Sequence, residues 1–251
     1  MESTNAMEKP QSKVPTAYFA YSGKLLSEIA EILGKPEDAK RYKTMAEHAR
    51  QAFRQIATDN GRIHSDRQAE YVRAISFDLL EEEEKKQAAA DLNVLVEQNN
   101  YHLNTGFLST PSLCKVLADY GYTETAYRLL LQEFMPGWLY AIKKGATTIW
   151  ENWDSIDEQG RVKASLNHYS YGAVFGWLFE GVCGIRLQRG KITIQPRSCK
   201  LLKYVRAVYQ SPVGEIVSGW SCQGDEVIYE IKMPPNAEVE VILPEGTSFG
   251  E

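Results

Sequence analysis

The sequence lacks the signatures of several large protein classes. No run of about 18 apolar residues occurs, so no membrane-spanning helix is predicted. The opening "MESTNAMEKPQSKVPT" has no apolar core, so no signal peptide is predicted, and the compartment stays open. The patterns H-E-x-x-H, G-x-x-x-x-G-K-[ST] and G-x-G-x-x-G are absent. Metalloprotease, nucleotide-binding and dinucleotide-binding functions therefore lack their motifs.

Cysteine and basic clusters are also scarce. The four cysteines are Cys114, Cys183, Cys199 and Cys222, and no C-x-x-C pair occurs among them. A zinc or redox site therefore has little support, and buried free thiols are predicted. The net charge is -5 and no dense Lys/Arg stripe is present, so nucleic acid is not a predicted partner. No metal and no organic cofactor is predicted.

Helical periodicity dominates the first two-thirds of the chain. In "KLLSEIAEILGKPEDAKRYKTMAEHARQAFRQIA" apolar residues recur at helical spacing: Leu25, Leu26, Ile29, Ile32 and Leu33. Gly34 is placed to end that helix, and Pro36 is tolerated in the first turn of the next. The pattern predicts an αα-hairpin.

A second segment resembles the turn of this hairpin. "LGKPEDAKRY" and "YGYTETAYRL" share the pattern G-x-[PT]-E-x-A-x-R, with Gly34 matching Gly121. Repeated hairpins of this kind indicate a helical array or toroid. The acidic run from Glu81 to Glu84 is predicted to be a solvated helix start, because the helix dipole favours acidic side chains there.

The period changes twice in the remaining chain. Between residues 135 and 168 proline, glycine, β-branched and polar residues are mixed, which predicts a long loop, and "YSYGAVFGWLFEGVCGI" then predicts one apolar helix. From residue 187 short alternating segments predict a small antiparallel β-sandwich. The predicted organisation is a leader at 1–14, a helical domain at 15–186 and a β module at 187–251.

The loop contains the stretch "GATTIWENWDSI", residues 145–156, which places Glu151 between Trp150 and Trp153, with Asp154 next. The β-branched lead-in favours an extended conformation, in which Glu151 and Trp153 would face the same way. An acid beside aromatic rings suits glycosidic-bond cleavage, which uses two carboxyl groups. The alternative is an ion-paired or capping glutamate with two core tryptophans.

His168, in "LNHYSYG", ends the same loop. Taken alone, a histidine before an aromatic helix is more often a hydrogen-bonded structural residue than a ligand-binding one.

Several segments together closely resemble the C-terminal half of bacterial α-L-rhamnosidases, glycoside hydrolase family 78. They are "PTAYFAYSGKLLSEIAEILGK", "NNYHLNTGFLSTP", "KKGATTIWENWDSI", "LNHYSYGAVFGWLFEGVCGI", "SPVGEIVSGW" and "PPNAEVEVILP". The resemblance implies an (α/α)6 barrel followed by a C-terminal β-sandwich. It also implies release of terminal α-L-rhamnose from rhamnosides with anomeric inversion and without a cofactor.

The resemblance also implies roles for individual residues. Glu151 matches the general base that activates water, and His168 matches a histidine that lines the rhamnose subsite. Trp150, Trp153 and Asp154 belong to the same motif and are expected in or behind the pocket wall. Asn167 and Tyr171 are expected to hold the loop.

One part of the family pattern is missing from this sequence. The family's general acid lies near Asp-Glu-Arg and Gly-Trp-x-Gly-Asp motifs, and neither occurs here. About seven or eight helices are predicted, whereas an (α/α)6 barrel has twelve. The chain is therefore expected to be a C-terminal fragment or a truncated paralogue with little activity alone. Uncovered apolar helix faces are expected to drive self-association, with dimerisation as the predicted result. A rhamnoside-binding module and a purely structural helical protein are the alternatives.

Overall fold

A computed structural model describes residues 13–188, 190–235 and 237–248 of the chain. The predicted leader at 1–14 lies almost wholly outside these residues. The chain divides into two compact units, Met1–Tyr120 and Gly121–Glu251. The predicted domain boundary after residue 186 stays a prediction. None of the helices in the described ranges combines the length and the apolarity that a bilayer crossing needs.

The first unit is mostly helical. Its elements in chain order are α1 (Lys13–Ile32), α2 (Pro36–Ala57), β1 (Thr58–Asp59), β2 (Arg62–Ile63), α3 (Gln68–Ser76), α4 (Glu82–Gln98) and α5 (Thr110–Asp119). The predicted αα-hairpin is confirmed in α1 and α2. Gly34 has a φ of +66° after α1, and the Lys35 N–H donates to the Ala30 carbonyl at 2.9 Å. Glycine takes this left-handed conformation without the strain that a Cβ brings, which explains why the helix ends here.

The face that α1 turns toward α2 is built from small residues. Ala17, Ala20, Ser27 and Ala30 are buried, and a Cβ on Gly23 would lie 3.1 Å from the Ala46 Cβ. Small side chains let the two helix backbones approach closely. The larger apolar side chains of α1, and that of Leu33 directly after it, lie on the other side and are 39% to 77% exposed: Phe19, Leu25, Leu26, Ile29, Ile32 and Leu33. The helical spacing of these residues therefore marks a face that the described residues of the unit leave uncovered.

A short hairpin joins α2 to α3 and was not predicted, although its turn carries a known signal. Asn60 and Gly61 have φ values of +50° and +81°, as an Asn-Gly hairpin turn requires. Any side chain on Gly61 would collide with the Glu84 carboxylate, 2.2 Å from the ideal Cβ position. Arg54 pairs with Glu81 at 2.7 Å and with Glu84 at 2.6 Å. The acidic run is thus a helix start, as predicted, and an arginine of α2 neutralises part of its charge.

Asp78 gives the first unit a pH-dependent link between α1 and α4. Its carboxylate accepts a hydrogen bond from Lys24 at 2.7 Å and also contacts Lys85. Burial alone would raise the pKa of Asp78, but the two lysines outweigh it and hold the pKa at about 2. Because the folded-state pKa is depressed, the stabilisation is fully present above the unfolded pKa of about 3.9 and is lost as the pH falls toward 2.

We expect Asp78→Asn to lower the free energy of unfolding at pH 7 by on the order of 1 kcal/mol. The side chain is 48% exposed, so solvent screening reduces the effect below the full linkage value. Urea denaturation at pH 7 and at pH 2 checks this. The two proteins should converge at pH 2, and a constant difference across the range would contradict the assignment.

The second unit begins with α6 (Thr123–Leu130) and α7 (Trp138–Lys143). The segment predicted as one apolar helix is helical but irregular. It has 3₁₀ turns at Ser170–Val174, one α turn (α8) at Phe175–Trp177 and a π turn at Leu178–Val182. The Cys183 N–H donates to the Leu178 carbonyl at 2.9 Å, five residues back, which is the hydrogen bond of a π turn.

The β module follows as two three-stranded sheets. Its strands are β3 (Ile185–Gln188), β4 (Lys191–Ile194), β5 (Tyr204–Ser211), β6 (Gly214–Gln223), β7 (Glu226–Lys232) and β8 (Val239–Val241). The sheets have the orders β3-β4-β8 and β5-β6-β7, and they share a core that includes Ile185, Ile192, Ile194 and Ile216. The predicted sandwich is confirmed. Its first strand begins at Ile185, and β8 pairs with β4 in parallel, unlike the other strand pairs.

The four cysteines form no disulfide, as predicted, but only two of them are buried. Cys114 and Cys183 are buried, and burial raises the pKa of the Cys114 thiol to about 12 and that of Cys183 to about 11. Cys199 and Cys222 are partly exposed. The two buried thiols are therefore core side chains and poor nucleophiles at neutral pH.

Candidate active site

The segment predicted as a loop contains an irregular β-hairpin, residues 149–168, which we call the site hairpin. At its base the His168 N–H donates to the Ile149 carbonyl at 2.8 Å, and the Glu151 N–H donates to the Ser165 carbonyl at 2.9 Å. Further along, the Lys163 N–H donates to the Ser155 carbonyl at 2.8 Å. These bonds place Glu151 and His168 on two adjacent, paired segments, although 17 positions separate them in the sequence.

The tip of the site hairpin is fixed by Asp157. Its carboxylate accepts hydrogen bonds from the Gln159 N–H at 3.0 Å, from the Arg161 N–H at 2.8 Å and from the Arg161 Nε at 2.8 Å. The Arg161 backbone N–H is the main cause that lowers the pKa of Asp157. Across the described ranges, no group of three or more His, Cys, Asp or Glu side chains could hold a metal ion. Asp157 therefore acts as a turn residue.

Glu151 is exposed, and its carboxylate is held at one oxygen. Oε2 accepts a hydrogen bond from the Ser165 backbone N–H at 3.1 Å. Within the described residues this is the only hydrogen bond to the carboxylate, and no Lys, Arg or His forms an ion pair with it. The structural alternative was an ion-paired or capping glutamate; the described residues supply no ion-pair partner, and the bond from the Ser165 N–H is a contact of the capping kind. The geometry leaves one carboxylate oxygen available to a ligand or to water.

The two flanking tryptophans pack the base of the site hairpin. Trp150 is buried. Trp153 stacks on Tyr171, with ring centroids 4.0 Å apart, and meets the edge of Trp138 at 5.6 Å. The Trp138 Nε1 donates to the Tyr171 carbonyl at 2.9 Å, which ties the three rings to the following 3₁₀ turns. The rings therefore anchor the hairpin that carries Glu151.

The predicted extended segment ends immediately after Glu151. A turn follows, in which the Ser155 N–H donates to the Asn152 carbonyl at 3.2 Å and the Asn152 N–H donates to the Ser155 Oγ at 3.0 Å. The extended conformation from which a shared wall of Glu151 and Trp153 was predicted therefore does not reach Trp153, which stacks on Tyr171 while Glu151 stays exposed.

His168 and Asp154 are the remaining candidate residues of the site hairpin. The His168 Nδ1 accepts a hydrogen bond from the Ser170 N–H at 3.3 Å, so the neutral ring carries its proton on Nε2. Asp154 lies in the turn, with its Oδ2 3.9 Å from the Lys163 Nζ. The structure thus places Glu151 and His168 on paired segments at the hairpin base, with Asp154 in the turn that follows Glu151.

Sequence reasoning missed Ser165. It contributes to the site through its backbone N–H, which no residue-type pattern reveals. Its hydroxyl accepts a hydrogen bond from the Asn167 N–H at 3.2 Å and holds the returning segment in a turn. A serine two residues before Asn167 was the available signal, and it is a weak one.

Comparisons with known proteins give consistent matches over nearly the whole chain. Residues 2–182 match the model of the bacterial α-L-rhamnosidase six-hairpin glycosidase domain, and residues 190–250 match that of the bacterial α-L-rhamnosidase C-terminal domain. A curated α-L-rhamnosidase of Formosa agariphila is 37% identical over 253 residues, which cover 97% of this chain and 27% of that protein. One from Streptomyces avermitilis is 38% identical over 246 residues, covering 94% of this chain and 24% of that protein.

Solved structures show the same similarity. The crystal structure of Streptomyces avermitilis α-L-rhamnosidase complexed with L-rhamnose matches with a TM-score of 0.87 and 37% identity, over 96% of this chain and 24% of that one. Native α-L-rhamnosidase from Aspergillus terreus matches with a TM-score of 0.86 and 30% identity, over 91% of this chain and 28% of that one.

Proposed function

The chain belongs to the bacterial α-L-rhamnosidase family, and from that premise we propose that it carries the water-activating half of an inverting rhamnosidase site. It spans about a quarter of the length of the curated relatives it matches, 27% and 24% for the two described above. The predicted (α/α)6 barrel fold agrees with the family description and with the structural neighbours.

One observation carries the proposal: Glu151 is an exposed carboxylate held at one oxygen by a backbone N–H and anchored by buried aromatic rings. A general base needs a fixed position and a free oxygen that can take a proton from water. His168 is the sugar-side residue, with a proton on Nε2 that can be donated to a hydroxyl. Trp150 and Trp153 support the hairpin from behind, and Asp154 stands at its edge.

The proposed substrate is a rhamnoside with a terminal α-L-rhamnose. A structural neighbour is complexed with L-rhamnose, and it shares 37% identity with this chain. In an inverting reaction Glu151 removes a proton from water as the water attacks the anomeric carbon, while a second carboxyl group protonates the leaving oxygen. The two carboxyl groups of such a site stand roughly 6.5 to 9.5 Å apart. No counterpart of the family's proton-donor motif occurs in this sequence.

We expect the isolated chain to bind L-rhamnose weakly and to hydrolyse no p-nitrophenyl α-L-rhamnoside. The reason is that general acid catalysis contributes roughly two to four orders of magnitude to the rate. Calorimetry with L-rhamnose and release of p-nitrophenol measure the two properties. Binding without turnover supports the proposal, and family-like turnover by the pure chain contradicts it. Absence of binding favours a purely structural helical protein.

We also propose that the isolated chain self-associates through the uncovered face of α1. Several large apolar side chains lie there, including Leu26 at 44% and Ile29 at 50% exposure. Contiguous apolar surface of this kind favours association in water. Light scattering should give twice the mass of the chain. The double change Leu26→Glu and Ile29→Glu should give a monomer, and Lys43→Glu on the exposed surface of α2 should not. A monomeric wild-type chain contradicts the proposal.

A further inference from the structure

Tyr169 presents an open aromatic ring next to His168. The two rings are nearly parallel, with an interplanar angle of 10° and centroids 5.4 Å apart. Tyr169 is 83% exposed, more than any other large hydrophobic side chain in the described parts of the chain. One ring face therefore lies along the histidine, and most of the remaining ring surface is uncovered.

The backbone that carries Tyr169 is fixed on both sides. His168, the preceding residue, donates its backbone N–H to the Ile149 carbonyl at 2.8 Å. Ser170, the following residue, is buried and donates its N–H to the His168 Nδ1 at 3.3 Å. The ring therefore projects from an ordered position at the base of the site hairpin. A rigid aromatic side chain offers a large contact surface at a low cost in conformational entropy, which is typical of binding surfaces.

We propose that Tyr169 forms the aglycone subsite, where a planar aromatic aglycone of an α-L-rhamnoside stacks on its ring. This inference rests on the proposed function, which puts the sugar against His168. Because Tyr169 follows His168 in the chain and its ring is stacked beside the histidine, its uncovered surface lies next to a sugar bound at His168. A planar aromatic group matches that ring surface, whereas a small aliphatic aglycone leaves the Tyr169 ring uncovered. Aromatic pairs of this kind strengthen binding by about two- to tenfold.

The test compares two ligands that differ only in the aglycone. Calorimetry measures the Kd of p-nitrophenyl α-L-rhamnoside and of methyl α-L-rhamnoside for the isolated chain. The aryl glycoside should bind about three- to tenfold more tightly. Tyr169→Ala should reduce this ratio to about one and leave the Kd of the methyl glycoside unchanged, and Tyr169→Phe should preserve the ratio because it keeps the ring. Circular dichroism verifies that each variant is folded.

Two controls separate the failure of this inference from the failure of the proposed function. The inference is overturned if wild type binds both glycosides equally, if Tyr169→Ala weakens both equally, or if p-nitrophenol alone binds as tightly as its glycoside. The proposed function survives those results as long as His168→Ala weakens binding of methyl α-L-rhamnoside. If the methyl glycoside does not bind, or if His168→Ala leaves its Kd unchanged, the proposed function fails and the inference fails with it.

Discussion

Replacing Glu151 by glutamine should lower kcat by about two to four orders of magnitude in a complete enzyme, since that is the usual contribution of one acid–base group. A suitable protein is a chimera in which this chain replaces the matching quarter of the Streptomyces avermitilis α-L-rhamnosidase, to which it is 38% identical. Glutamine keeps the shape of the side chain and can still accept the Ser165 N–H, but it cannot take a proton from water. KM should therefore change by less than about threefold, because the contacts that bind the substrate equally before and during the reaction are preserved.

The matched control for this prediction is Asp154→Asn. Asp154 lies three residues away in the same hairpin and carries the same charge. It differs from Glu151 in its position, because it lies in the turn with its Oδ2 3.9 Å from the Lys163 Nζ. We expect it to lower kcat by less than about tenfold, well below the effect of losing an acid–base group. Comparable losses in the two variants would indicate that charge at the hairpin matters and that Glu151 has no special role.

Removing the Trp153 ring should loosen the site hairpin and reduce both stability and turnover. Trp153→Ala deletes the stack on Tyr171 and the edge contact with Trp138. For a half-buried ring we expect a loss of roughly 2 to 3 kcal/mol in the free energy of unfolding, below the range for fully buried tryptophans. In the chimera kcat/KM should fall about a hundredfold, since a displacement of about 1 Å of a catalytic group has that effect.

Trp153→Phe serves as the conservative comparison, because a phenyl ring preserves part of the stack and should recover most of the stability. Arg161→Ala tests whether any change in the hairpin has the same consequence. Arg161 is exposed and pairs with Asp157 at the tip, so its loss should leave both the unfolding transition and kcat/KM nearly unchanged. If Trp153→Ala leaves kcat/KM intact, the aromatic anchor does not position Glu151.

Local sequence rules predicted the elements whose structure depends on neighbouring residues. Gly34 ends α1 because the left-handed conformation there is strained for a residue that has a Cβ, and alternating residues mark β7. The Asn60-Gly61 turn follows the same rules and was predictable in principle. The parallel pairing of β8 with β4 was not, because it depends on a contact between segments more than 40 residues apart.

The sequence predicted which residues belong to the site, but it did not predict how the backbone places them. Glu151 and His168 could be named from the resemblance, but their juxtaposition depends on backbone hydrogen bonds between residues 149–151 and 165–168. The alternation rule failed at Trp153 because a local turn interrupts the extended segment. The large apolar residues of α1 fit a helix, yet helical spacing alone cannot say which face meets α2. The small residues on the opposite side, such as Ala20 and Ala30, determine that.

Chemical rescue tests most directly whether Glu151 activates water. Azide is a small anionic nucleophile that needs no general base and fits the space left by a carboxylate. In the chimera, Glu151→Ala should be nearly inactive toward p-nitrophenyl α-L-rhamnoside, and azide should restore turnover with β-L-rhamnosyl azide as the product, as inversion requires. A rate that azide leaves unchanged, or an α-L-rhamnosyl azide product, would contradict the assignment of Glu151 as the base of an inverting reaction.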